Sequence, residues 1–68
     1  MSMTVQVGGG QRELPAGSTL ADLVAALGHA PTAVATAVNG QFVARDARPQ
    51  HVLADGDHIH CFRPITGG

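Results

Sequence analysis

Lysine is absent from this chain, and so are tryptophan and tyrosine. Without lysine the N-terminal amine is the one primary amine on offer, so no side chain can take an isopeptide bond to a second copy of the same protein. With two phenylalanines as the only aromatics, a core has to be assembled from many modest contacts among Ala, Val, Leu and Ile. The single cysteine, Cys61, cannot close an internal disulfide. No N-terminal apolar run reads as a signal peptide or a membrane span, and the two observations together predict a reducing, cytoplasmic setting. Charge is scarce as well: four arginines against five acids leave −1 at pH 7, too little to hold nucleic acid or an anionic membrane. Neither is expected as a partner. The 68 residues leave room for one small core, near the lower limit at which a chain folds without disulfides or metals.

What is present falls into a clear order. Met3, Val5 and Val7 alternate with Thr4 and Gln6, the period of a half-buried strand. Gly8-Gly9-Gly10 breaks it; a phosphate-cradling loop would need a helix directly after it, and Gln11-Arg12-Glu13-Leu14 reads instead as the return strand of a hairpin. Pro15-Ala16-Gly17 ends that strand. Thr19 with Asp22 three residues on is a short-acid capping box opening a helix over 20–27. Leu20, Leu23, Val24 and Leu27 form one apolar stripe, and Gly28 stands where a left-handed residue ends a helix. So short a helix must be packed on a sheet to persist.

After the connector His29 to Thr32, residues 33–38 read as a strand with Val34, Thr36 and Val38 on one face. Asn39-Gly40 before Gln41-Phe42-Val43 is the strongest hairpin cue, because a type I′ turn needs positive φ at both central residues. Residues 45–50 read as a polar loop, 51–53 as a short strand, Asp55-Gly56-Asp57 as a turn, and 59–62 as a last strand stopped by Pro64. A hairpin, a helix laid across a sheet and a return to that sheet make a two-layer α+β domain. With the last strand parallel to the first, the pattern predicts a β-grasp (ubiquitin-like) fold: a mixed four- to five-stranded sheet crossed by one helix, a domain at 1–64, and a free tail at 65–68.

That tail ends Ile65-Thr66-Gly67-Gly68. A carboxylate behind two residues without side chains can enter a narrow slot. It can serve as a substrate, a carboxylate that an ATP-using partner adenylates and a nucleophile then attacks.

In their order and spacing, the short first strand, the Thr19-Leu20-Ala21-Asp22-Leu23 helix start, the Ala-Val-Asn-Gly turn at 37–40 with Val43 and Arg45 after it, Asp55-Gly56-Asp57 leading into Ile59, and Gly67-Gly68 resemble the ThiS family. These are the sulfur carriers of thiamine biosynthesis, and the likeness covers nearly the whole chain. It implies that a ThiF-like adenylyltransferase activates the Gly68 carboxylate with ATP, and that sulfur from a donor such as a cysteine desulfurase makes it a thiocarboxylate. A ThiG-like thiazole synthase would then use that sulfur to build the ring. On this reading the chain is a protein co-substrate, not an enzyme, and binds no cofactor itself. The departures are the Gly-Gly-Gly first turn, where Asn-Gly is commoner, and Arg48-Pro49, where an aromatic residue often follows the arginine. The alternatives are a MoaD-like small subunit of molybdopterin synthase, a ubiquitin-like modifier, and a plain interaction module.

Gly68 is thus the reacting residue, and Pro64, Ile65, Thr66 and Gly67 are expected to contact the partner. Phe62 joins them: if the helix covers the Ile59 and Cys61 side of the last strand, Phe62 lies on the open face beside the tail, where an exposed aromatic anchors a partner. His58 and His60 share that face with Phe62 while Cys61 points the other way, which argues against a His2Cys metal site. No metal is expected. Asp55 and Asp57 lack the further oxygens of a calcium loop, and Cys61 reads as a small buried hydrophobe.

Overall fold

The computed structural model describes residues 1–63, and its first elements follow from the alternation noted above. Strand β1 (Ser2–Val7) buries Met3 and Val5. Of the two loop glycines only Gly8 needs the left-handed region (φ +59°). The chain returns antiparallel as β2 (Gly10–Pro15), with Leu14 opposite Met3.

Helix α1 (Leu20–Ala26) begins on the complete capping box: the Asp22 amide donates to the Thr19 hydroxyl at 3.2 Å, and the Thr19 amide to the Asp22 carboxylate at 2.9 Å. Two of the orphan amides of the first turn are satisfied in this way. At the other end Gly28 takes φ +80°, and the amides of Gly28 and His29 reach back to the carbonyls of Ala25 and Val24, the paired bonds of a Schellman motif. Leu20, Leu23 and Val24 are buried, and Leu27 is half-buried against the core.

Strands β3 (Ala35–Val38) and β4 (Gln41–Val43) form the hairpin that Asn39 and Gly40 specify, with φ of 52° and 85°. Strand β5 (His58–Phe62) enters between the two hairpins, parallel to β1 and antiparallel to β3, giving the order β2-β1-β5-β3-β4. Five strands with one helix on one face make the fold a β-grasp. Val5, Leu20, Leu23 and Ile59 lie at the centre of the core, each removed from water almost completely, a burial that contributes about 1.5–3 kcal/mol per side chain.

Three expectations are corrected. Residues Arg45–Gln50 are not a polar loop but a 3-10 helix, and Arg48 within it is one of the most buried side chains in the protein, at 3% exposure. The third strand begins at Ala35 rather than Ala33, because the Val34 carbonyl accepts from Arg48 instead of a neighbouring strand. The segment 51–53 is not a strand: Val52 makes a single bridge to Thr19. Its flanking bonds, Leu20 amide to His51 carbonyl and Leu53 amide to Ser18 carbonyl, tie it to the start of α1 and seat Leu53 in the core.

The residues expected to contact a partner at 64–67, Gly68 as the residue expected to react, and the expected boundary between a domain and a tail at 64/65 lie outside the described residues. Among those described, no helix is long and apolar enough to cross a membrane.

Candidate functional site

The strand that leads to the C-terminus sorts its side chains by face. On the helix side Ile59 is 1% exposed, and Cys61 is half-buried against the core. On the other side His58, His60 and Phe62 are exposed, Phe62 at 47%. The helix therefore covers the face that places Phe62 in the open.

The register shows what surrounds it. Across β3, Phe62 pairs with Ala35 and His60 with Ala37; Ala37 in turn pairs with Phe42, which is 69% exposed. Both phenylalanines of the chain thus stand on one open sheet face, with small alanines between them. Phe42 is a candidate for this surface that the sequence reading passed over. The Asn39-Gly40 turn sets the register of β4 against β3, and from it the Ala37–Phe42 pair could have been deduced.

β5 also outruns its parallel neighbour. It pairs with β1 only at Gln6–His58 and Val7–Ile59, and the last bond on that side runs from the Gly8 amide to the Ile59 carbonyl at 3.3 Å. From His60 to Phe62 the ladder continues to β3. Beyond it Cys61, Phe62 and Arg63 share one hollow with His29, Ala33 and Val34.

The two aspartates before β5 close its entry turn. The Asp55 carboxylate accepts from the Thr4 amide at 2.8 Å; the Asp57 carboxylate accepts from the Ala54 amide at 2.8 Å and from the Asn39 side-chain amide at 3.1 Å. Asn39 in turn accepts from the His58 amide at 3.0 Å, which locks the β3–β4 turn to the start of β5. The Cys61 thiol has its pKa raised by burial, an effect that the nearby positive charge of Arg48 opposes in part. It therefore keeps its proton at neutral pH and is a poor nucleophile. Around Phe62 the described side chains offer an exposed aromatic surface beside a thiol that burial keeps protonated.

Known proteins agree with this geometry. The sequence model of the ThiS family matches residues 5–68. The chain is 40% identical over 53 residues to the sulfur carrier protein ThiS of Escherichia coli (strain K12), an alignment spanning 78% of this chain and 80% of that protein. Its fold superimposes on the crystal structure of the thiamine biosynthesis protein ThiS from Geobacter metallireducens with a TM-score of 0.82 at 25% identity, covering 97% of this chain and all of that one.

Proposed function

The chain belongs to the ThiS family of sulfur carriers, and on that premise we propose that it carries sulfur as a thiocarboxylate on Gly68 for the thiazole ring of thiamine. In the first step the Gly68 carboxylate attacks the α-phosphorus of ATP on a ThiF-like adenylyltransferase, forming the acyl adenylate and releasing pyrophosphate. Sulfide equivalents, supplied through a donor such as a cysteine desulfurase, then attack the acyl carbon and AMP leaves. The resulting thiocarboxylate passes its sulfur to a ThiG-like synthase, and the carrier returns with a carboxylate. ATP belongs to the activating partner, and the carrier needs no cofactor of its own. All of these steps suit a cytoplasmic protein with its cysteine reduced.

The observation that supports this reading most directly is the position of β5. It is the central strand of the sheet, it bears an exposed aromatic at its end, and after Arg63 the sequence continues Pro64-Ile65-Thr66-Gly67-Gly68. Five extended residues span at most about 17 Å, enough to bring a carboxylate from the rim of the domain into a buried nucleotide site.

Incubation with ATP, a ThiF-like enzyme and sulfide tests the proposal by intact mass. Exchange of one carboxyl oxygen for sulfur adds about 16 Da, the same gain that oxidation of Cys61 to a sulfenic acid would give. The Cys61→Ala variant separates the two. A gain that persists in this variant, requires ATP and maps to Gly68 supports the carrier role, whereas one that disappears with the thiol overturns it.

A further inference from the structure

On the helix side of the sheet, away from Phe62, α1 and the Arg45–Gln50 helix meet around a cavity of about 260 Å³. Its walls are apolar, built by Ala21, Val24 and Ala25 of α1 and by Pro49 opposite them. Two arginines stand around it: Arg45 and Arg48 line the same cavity, together with His29. Arg48 is buried, and its three donating nitrogens end on the uncharged oxygens of Thr36, Pro31 and Val34. Arg12 does not line the cavity; its guanidinium is bound to the carbonyl of Ala26 in the last turn of α1.

Two of the four arginines thus line this cavity. The acids lie mostly elsewhere: Asp22 caps the other end of α1, and Asp55 and Asp57 close the turn after Leu53, which is bonded to Ser18 ahead of that cap. Asp46, on the same turn as Arg45, does not line the cavity.

We propose that this cavity is an anchor site for a protein partner that presents one large apolar side chain beside a carboxylate. The apolar group sits between the α1 alanines and Pro49, and the carboxylate faces Arg45. The size favours a side chain over a metabolite, since small-molecule pockets run to roughly 300–1,000 Å³, whereas interface anchors are single aromatic or apolar groups in desolvated pockets. The charge around the rim selects the acid. His29 lines both this cavity and the hollow at the end of β5, so one partner can hold both places at once. The proposal itself does not depend on what happens to Gly68.

The test is an NMR titration of the 15N-labelled full chain at low salt with two capped dipeptides, N-acetyl-tryptophyl-glutamate amide and N-acetyl-tryptophyl-glutamine amide. The glutamate peptide should shift the amides of Val24, Ala25, His29 and Arg45 and bind about five-fold more tightly than the glutamine peptide, the upper range for one exposed charge pair. Arg45→Gln, at an exposed position, should remove that preference and leave the fold unchanged. Ala25→Trp, which fills the cavity from an exposed helix position, should abolish binding of both peptides. Equal binding of the two peptides, shifts confined to the Phe42 and Phe62 face, or no shifts at millimolar peptide would overturn the proposal.

Discussion

The guanidinium of Arg48 donates through Nε to the buried hydroxyl of Thr36 at 3.1 Å, and that hydroxyl donates onward to the Val43 carbonyl at 3.0 Å. Its other nitrogens hold the carbonyls of Pro31 and Val34 at 2.8 and 2.6 Å. One side chain thereby joins the connector after α1 to both strands of the second hairpin. Replacing it by a chain of similar length without donors, Arg48→Met, strands two buried oxygens and one part-buried one. At roughly 1–3 kcal/mol for each polar group left unpaired, the variant should lose about 3 kcal/mol or more. For a domain of this size that is a fall in melting temperature of at least about 12 °C, which a circular dichroism melt would register. A shift of only a few degrees would mean that water replaces the guanidinium.

Why Arg48 escaped the sequence reading, while most of the sheet did not, lies in the range of the signals. The Asn39-Gly40 turn, the Thr19–Asp22 box and the Asp55–Asp57 turn are decided by neighbours within four residues, and each formed as expected. The partners of Arg48 lie 12, 14 and 17 residues away, and an arginine in a polar stretch with a proline carries no local mark of burial. One hint was available: Thr36 faces inward on β3, and an inward hydroxyl requires a partner. The segment 51–53 misled in the opposite sense. Val52 and Leu53 suit a strand, but a strand needs a ladder, and the backbone of this segment is committed to Ser18 and Leu20. As for the site, the face bearing Phe62 was legible from alternation alone, while Phe42 required the register between two strands.

Phe62→Ala separates recognition from stability. If Phe62 anchors the activating enzyme, its loss should weaken that binding by about 2 kcal/mol or more, with little change in the melt because the ring is half-exposed. A fully buried phenylalanine would instead cost about 3–5 kcal/mol of folding free energy. Calorimetric binding and thermal melts on the same sample decide between these outcomes.

Deleting Gly68, or introducing a methyl group by Gly67→Ala, should abolish activation while changing stability by under about 1 kcal/mol, since chain ends contribute little to a core. ATP–pyrophosphate exchange with the activating enzyme is the measurement. Unchanged exchange by the truncated chain would refute the carrier role.

Cys61 should react slowly. Because burial raises its pKa despite Arg48, iodoacetamide should modify it more slowly at pH 7–8 than it modifies the unfolded chain. The native state holds the thiol proton to higher pH than the unfolded one, so this group's contribution to stability is present at neutral pH. It is lost as pH rises above the ordinary thiol value. Cys61→Ala should flatten the alkaline slope of the melting curve; an unchanged slope would assign it to other groups.

The insertion of β5 between two self-contained hairpins has a mechanical consequence. Each hairpin closes on residues near it in sequence, but among the described residues the sheet joins them through β5 alone, which pairs Gln6 with His58 and Val38 with Ile59. β5 is the keystone: freeing it would leave two hairpins with no shared edge, so its amides should exchange with solvent only when the whole molecule unfolds. Under the proposed role, an enzyme that gripped the chain beyond β5 would therefore have to unfold the domain before it could draw that strand out.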